Sequence, residues 1–225
     1  GKVTVVAPDK PQSGMGHAIT LDSTLHITKV EIKGVEAYSC SGTPADCVKI
    51  AVNKILNCKP DLIVSGINHG SNSSINVIYS GTMSAALEGA LESIPSIGFS
   101  LLNHSIEADF AASQFYAKKI ITKVLDHNKN KELCLNVNIP NLNTDLISGI
   151  KVCRQAKGNW EENYDERMDP MGRVYYWLTG KFVIDDDGTD TDEWALKNNY
   201  VSVVPVQSDL TAHNLLTDIK HLENE

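Results

Sequence analysis

The stretch Ser65-Gly66-Ile67-Asn68-His69-Gly70-Ser71-Asn72, followed by Tyr79-Ser80-Gly81-Thr82-Met83, has the residue types of an anion site. Glycines let a backbone approach a ligand closely, small hydroxyls donate without bulk, and the first N–H groups of a helix point at negative charge. Asn68 can give its amide oxygen to a hard cation or its amide N–H to a phosphate oxygen. Ser80, Gly81 and Thr82 stand where a helix begins, so their hydroxyls and N–H groups can hold a phosphate. A plain tight turn, needing positive φ at its glycines, is the simpler alternative. A second polar loop, Pro8-Asp9 with Ser13-Gly14, follows a neighbouring strand and is suited to the same edge of the sheet. His17, four residues past Ser13, could reach such a site, although a lone histidine is more often a packing or surface residue. The same holds for His69.

The net charge of −8 argues against a nucleic-acid polymer as partner, because binding a phosphate backbone needs a basic surface. It leaves room for a small phosphate ester, provided that a cation at the site reverses the local sign.

These residues need elements to hold them. The apolar run Leu62-Ile63-Val64 leads into the Asn68 segment as a buried strand, and Met83, Leu87, Ala90 and Leu91 recur behind Thr82 as one helix face. Val3 to Ala7 is a strand that turns at Pro8-Asp9. Ile19-Thr20-Leu21, Leu25-His26-Ile27 and Glu36 to Tyr38 are predicted as short strands. Thr43-Pro44-Ala45-Asp46 is a helix start, with Thr at the N-cap, Pro at the first position and Asp in the first turn. Val48, Ala51, Val52 and Ile55 continue it on one face. Ser96 to Phe99 is a strand, Ile106 to His127 a longer helix ended by Asn128 to Lys131, and Leu133 to Ile139 another strand.

This βαβα rhythm predicts an α/β fold with a mostly parallel sheet covered by helices. Residues 1–148 form the core, 149–200 a β-rich excursion, and 201–225 a returning strand and a helical tail with Leu215, Ile219 and Leu222 at helical spacing. The run Asp185-Asp186-Asp187-Gly188-Thr189-Asp190 fails the EF-hand count and reads as a solvated turn. Tyr175, Tyr176 and Trp177 could stack on a base but fit an amphipathic strand better.

A hydrophobic content of 42% is that of a soluble globular chain, and no apolar run approaches the roughly 20 residues that span a bilayer. Five cysteines, an odd number with no Cys-x-x-Cys pair, predict reduced thiols and a cytoplasmic location. No Gly-x-Ser-x-Gly elbow is present, which leaves a serine acyl hydrolase built on Ser13 and His17 without its usual motif.

Taken in order, several segments resemble the SurE family of survival-protein nucleotidases. They are Val5-Val6-Ala7-Pro8-Asp9 with Gln12-Ser13-Gly14, Gly42-Thr43-Pro44-Ala45-Asp46-Cys47-Val48, and Ser65-Gly66-Ile67-Asn68 with Gly70 and Asn72. Tyr79-Ser80-Gly81-Thr82 with Ala85, Ala86, Glu88 and Gly89 follows, then Asn136-Val137-Asn138-Ile139-Pro140. Asp169-Pro170 with Gly172 leading into Tyr175-Tyr176-Trp177, Gly188-Thr189-Asp190, Tyr200 to Pro205 and Asp209-Leu210-Thr211 complete the likeness, which covers essentially the whole chain.

The resemblance implies a Rossmann-like fold with a protruding β-hairpin, and a C-terminal exchange that builds a homodimer or homotetramer. It also implies metal-dependent hydrolysis of nucleoside 5′-monophosphates, and in some members of 3′-nucleotides and short polyphosphate. It assigns one divalent cation, Mg²⁺ or Mn²⁺, to Ser13, Asn68 and a pair of adjacent aspartates. Asn68, Ser80 and Thr82 become catalytic, and Asn68, Ser80, Gly81 and Thr82 bind phosphate. The aspartate pair has no counterpart here. In the family it ends a first strand ahead of the segment with which this chain opens, so a strand-plus-helix unit of roughly 30 residues is expected to be missing. The alternative is a non-catalytic phosphate-binding or oligomerising fragment.

Overall fold

Local signals set the first helix. Thr43 accepts the Asp46 N–H on its hydroxyl, Asp46 accepts the Thr43 N–H in return, and Pro44 occupies the first helical position. Helix α1 (Pro44–Ile50) continues into a π-helical turn, Ala51–Ile55. Asp46 does more than cap. Its carboxylate also accepts the backbone N–H and the hydroxyl of Thr20, at 3.1 and 2.6 Å, which fastens the preceding loop to the helix. Ile19-Thr20-Leu21 is therefore irregular rather than the expected strand, because its backbone is spent on Asp46.

The computed structural model describes residues 1–127, 130 and 132–223. Of the expected helix end, Asn128, Lys129 and Lys131 lie outside these. Strands β1 (Thr4–Pro8), β2 (Ile27–Ile32) and β3 (Val35–Cys40) form one sheet in the order β1-β3-β2, with β1 and β3 parallel. Strands β4 (Ile63–His69), β5 (Ser96–Leu101), β6 (Cys134–Ile139), β7 (Gly149–Val152) and β10 (Tyr200–Pro205) form the second, in the order β4-β5-β6-β10-β7. In it β4, β5 and β6 run parallel, and β10 is antiparallel to β6. Among the described residues no ladder joins the two sheets, so β1 and β4 each keep one free edge. Val64, the second residue of β4, is 46% exposed.

Helix α1 packs on β1 and on α2 (Gly81–Leu91), and α2 in turn covers β4 and β5. Its buried face centres on Met83 and Ala86, whereas Leu91, expected on that face, points outward. Burying a side chain the size of Met83 contributes about 2 kcal/mol. The opposite face is covered by α3 (Ala111–His127), whose Tyr116 and Ile120 pack against Phe99, Val137 and Ile139. This helix starts five residues later than expected, because Asp109 accepts the Ala111 N–H and Phe110 turns away to meet the His69 ring edge-on.

The excursion leaves the sheet after β7. Strands β8 (Gly158–Met168) and β9 (Val174–Ile184) pair only with each other, as an eleven-rung antiparallel hairpin. Tyr175, Tyr176 and Trp177 lie on it, exposed. Arg154 clamps its base, with a fork of two bonds to Asp186 and a single bond to the Asp190 carboxylate. The aspartate run is thus a salt-bridged turn. The guanidinium of Arg154 holds the Asp186 carboxyl well below the usual carboxylate range. A short helix α4 (Asp192–Lys197), unforeseen, leads into β10. The tail forms only short 3-10 turns at His213–Leu215 and Lys220–Glu223, not a helix, and its Leu215, Ile219 and Leu222 face solvent. All five cysteines are free thiols.

Asp46 also carries a pH signature. Burial pushes its carboxyl up, but the bonds from Thr20 and Thr43 outweigh that and hold it below the ordinary aspartate value. The folded value is depressed, so the stabilisation is complete above the unfolded aspartate pKa of about 3.9 and drains as pH falls through the folded value. Asp46→Asn is expected to cost about 2 kcal/mol at neutral pH and to flatten the acid limb of stability, read by urea melts at pH 7 and below pH 4.

Candidate active site

The site is built where three chain segments meet at the N-terminus of α2. The first is that N-terminus itself. Ser80 caps it by accepting the Met83 N–H at 3.0 Å, and the Gly81 and Thr82 N–H groups stand ahead of any intrahelical acceptor. The positive end of an eleven-residue helix thus ends in unspent donors beside the Thr82 hydroxyl. A side chain at Gly81 would be tight, since its Cβ would sit 3.0 Å from Pro44 Cγ and 3.3 Å from the Gln12 carbonyl oxygen.

The second segment is the loop after β1, which carries Ser13. It lies against the same helix end, with the Gly16 N–H donating to Tyr79 O at 3.1 Å and Ser84 Oγ donating to Gly16 O. Ser13 is exposed, and its hydroxyl makes no hydrogen bond among the described residues. Asp9, at the start of the loop, donates its N–H to Cys40 O and keeps its carboxylate exposed.

The third is the arch 70–79, which joins β4 to α2 and begins beside Asn68. Contrary to the expected loop from Ser65, β4 runs on to His69, with a bulge against β5 between Ser65 and Asn68. The bulge aims Asn68. Its Nδ2 donates to His69 O at 3.1 Å and Gly70 O at 3.0 Å, and since both acceptors are carbonyls the amide orientation is fixed. The Oδ1 is left without a partner among the described residues. His69 faces the α3 side with Phe110, the side where Ile67 packs into the core, and not the α2 side.

A buried polar network, not predictable from spacing, holds the arch. Asn138 accepts the Asn72 N–H at 2.8 Å, Asn136 donates to Asn72 O at 2.7 Å, and Asn72 donates to Ser100 Oγ at 2.7 Å. Asp192, fully buried, accepts the N–H groups of Ser74 and Ala156, and Ser73 donates to Glu193. Burial pushes the Glu193 carboxyl up, against the Ser73 bond. Trp160, at the root of the hairpin, donates its indole N–H to Asn76. The only sequence signal for these partners is an acidic first turn on α4, capped by Thr191.

Toward a divalent cation, Ser13 and Asn68 offer two hard but neutral oxygens. Among the described residues no group of three His, Cys, Asp or Glu side chains could hold a metal ion. A hard dication normally needs carboxylates as well, so these residues alone do not complete a site.

Fold and site together define a class: an α/β protein with a Rossmann-like sheet and an anion-suited helix N-terminus at its edge. The chain belongs to the SurE family, since the family model described as Survival protein SurE matches residues 1–162. The 5′-nucleotidase SurE of Flavobacterium psychrophilum is 61% identical over 218 residues, covering 96% of this chain and 85% of its own length. That of Christiangramia forsetii is 62% identical over 222 residues, with 97% and 85% covered. The crystal structure of the SurE protein from Aquifex aeolicus superposes with a TM-score of 0.82 at 40% identity, covering 97% of this chain and 88% of that one. No helix among the described residues is long and apolar enough to cross a membrane.

Proposed function

We propose that this chain serves a phosphomonoesterase that hydrolyses nucleoside 5′-monophosphates to nucleoside and phosphate, with 3′-nucleotides and short polyphosphate as further substrates. The observation that carries this reading is the meeting of the Ser13 loop and the Asn68 arch at the N-terminus of α2, in a chain 61% identical to a protein named 5′-nucleotidase SurE. The Gly81 and Thr82 N–H groups and the Ser80 and Thr82 hydroxyls receive the phosphate oxygens. They are in place before charge builds on those oxygens, which is the arrangement that lowers a phosphoryl-transfer barrier. Asn68 closes the site from the β4 side.

Dependence on one divalent cation, Mg²⁺ or Mn²⁺, is part of the proposal, with Ser13 and Asn68 as contributing oxygens. Because two neutral donors make an incomplete set, a second reading has its own support: a phosphate-binding or oligomerising module without turnover. Exposed Tyr164, Tyr176 and Leu178 on the hairpin favour a homodimer or homotetramer in either case. A cytoplasmic location accords with the free thiols.

One experiment separates the readings. Phosphate release from AMP is followed with added Mn²⁺ or Mg²⁺ and again with chelator, alongside calorimetric binding of inorganic phosphate. Release that needs the cation supports the nucleotidase. Phosphate binding with no release under any condition supports the module.

A further inference from the structure

Away from the helix end, one buried carboxylate gathers three elements. Glu88, on α2, is 4% exposed, and it takes Lys49 Nζ from α1 on Oε1 at 2.7 Å and His17 Nε2 from the Ser13 loop on Oε2 at 2.9 Å. A carboxylate can only accept, so the imidazole nitrogen facing it carries the proton. The bond to Glu88 also holds the Lys49 ammonium above the ordinary lysine range, against the pull of burial.

Glu88 lies eight residues past Ser80, about 12 Å along the helix at 1.5 Å per residue. A proton donor to a leaving group must come within about 3 Å, or one water further. His17 has its Nε2 spent on Glu88 rather than free for a leaving group at the helix end. It is well placed to hold something. The loop is held first at the end of the arch, by the Gly16 N–H on Tyr79 O, and then at successive turns of α2, by Ser84 Oγ on Gly16 O and by His17 on Glu88. The last of these is the one that involves a buried charge, and such hydrogen bonds are the stronger ones.

We infer that His17 and Glu88 form a positioning pair that fixes the Ser13 loop against α2, and so sets the wall of the phosphate site. This rests on the nucleotidase reading for its effect on turnover, though not for its effect on the loop. Lys49 gives the pair its tolerance: with His17 removed, Glu88 still has a charged partner, so the fold survives the loss of the tether.

The variants are His17→Ala and His17→Gln, the glutamine supplying an N–H at similar reach but no titrating ring. Two readouts are taken on the full chain. Hydrogen exchange of the Gly16 amide, which is bonded to Tyr79 O, is expected to quicken about tenfold in His17→Ala and to return near the wild-type rate in His17→Gln. kcat/KM for AMP is expected to fall about tenfold in His17→Ala and to recover to within about twofold in His17→Gln, with the shape of the pH profile unchanged. Unaltered Gly16 exchange in His17→Ala overturns the inference. So does a His17→Gln variant that is as slow as the alanine and has lost one limb of its pH profile, which would make His17 an acid–base group. If wild type releases no phosphate, the nucleotidase reading fails, while the exchange experiment still decides the tether.

Discussion

Asn68→Ala is expected to lower kcat/KM for AMP by about 10²-fold at limiting Mn²⁺, because it deletes one of the two oxygens proposed for the divalent cation. The size of the effect follows from orientation. Two bonds from Nδ2 to the carbonyls of His69 and Gly70 leave Oδ1 no freedom and no competing partner, so it arrives at the site already placed. Alanine deletes it without unfolding β4, because the side chain is only half-buried. Asn68→Asp is a sharper control. It keeps an oxygen toward the site but sets a second one against two carbonyls, which repel it, so aspartate is not expected to restore the rate. Steady-state phosphate release, with the secondary structure of both variants checked by circular dichroism, measures this. A fully active alanine variant would remove Asn68 from the site.

The largest effect on stability is expected at Gly66. Its φ of +103° is open to glycine and strained for other residues, and a Cβ would stand 2.4 Å from the backbone oxygen of Phe99 on the neighbouring strand. No side-chain rotation relieves a clash with backbone. Gly66→Ala therefore adds conformational strain to overpacking, about 4 kcal/mol together, which for a chain of this size lowers Tm by roughly 10 °C. A thermal melt within about 2 °C of wild type would show that β4 and β5 can part at little cost. Such a shift would also displace Asn68, two residues on, so activity should fall with stability.

What could be read in the sequence was local. Thr43, Pro44 and Asp46 announce α1 because a cap is made by residues three apart, and Ser80-Gly81-Thr82 announces α2 in the same way. The parallel strands were visible as apolar runs. The end of β4 was not, because Gly66 and Asn68 interrupt the apolar pattern while the backbone stays in the sheet through a bulge. Nor was the burial of Asn136 and Asn138, whose alternation with Leu135, Val137 and Ile139 suggests a half-wet strand. The arch 70–79 comes from more than 60 residues away to cover them, and nothing near Asn136 records that. The tail failed in the opposite sense: its helical spacing is real, but among the described residues no surface receives that face. The candidate residues Asn68 and Ser80 to Thr82 lie on short local motifs and so stand out in the sequence, whereas Ser13 takes its role from the family resemblance. The groups that hold them, Asp192, Glu193 and Trp160, are 84 to 120 positions away from their partners and do not stand out.

The hairpin's length has a mechanical meaning. Eleven residues at about 3.4 Å each carry its tip about 35 Å from its base, where Arg154 holds Asp186 and Asp190 and Trp160 reaches Asn76. Asn76 belongs to the arch 70–79, so a load applied at the tip is delivered to the segment that runs from Asn68 to the helix end.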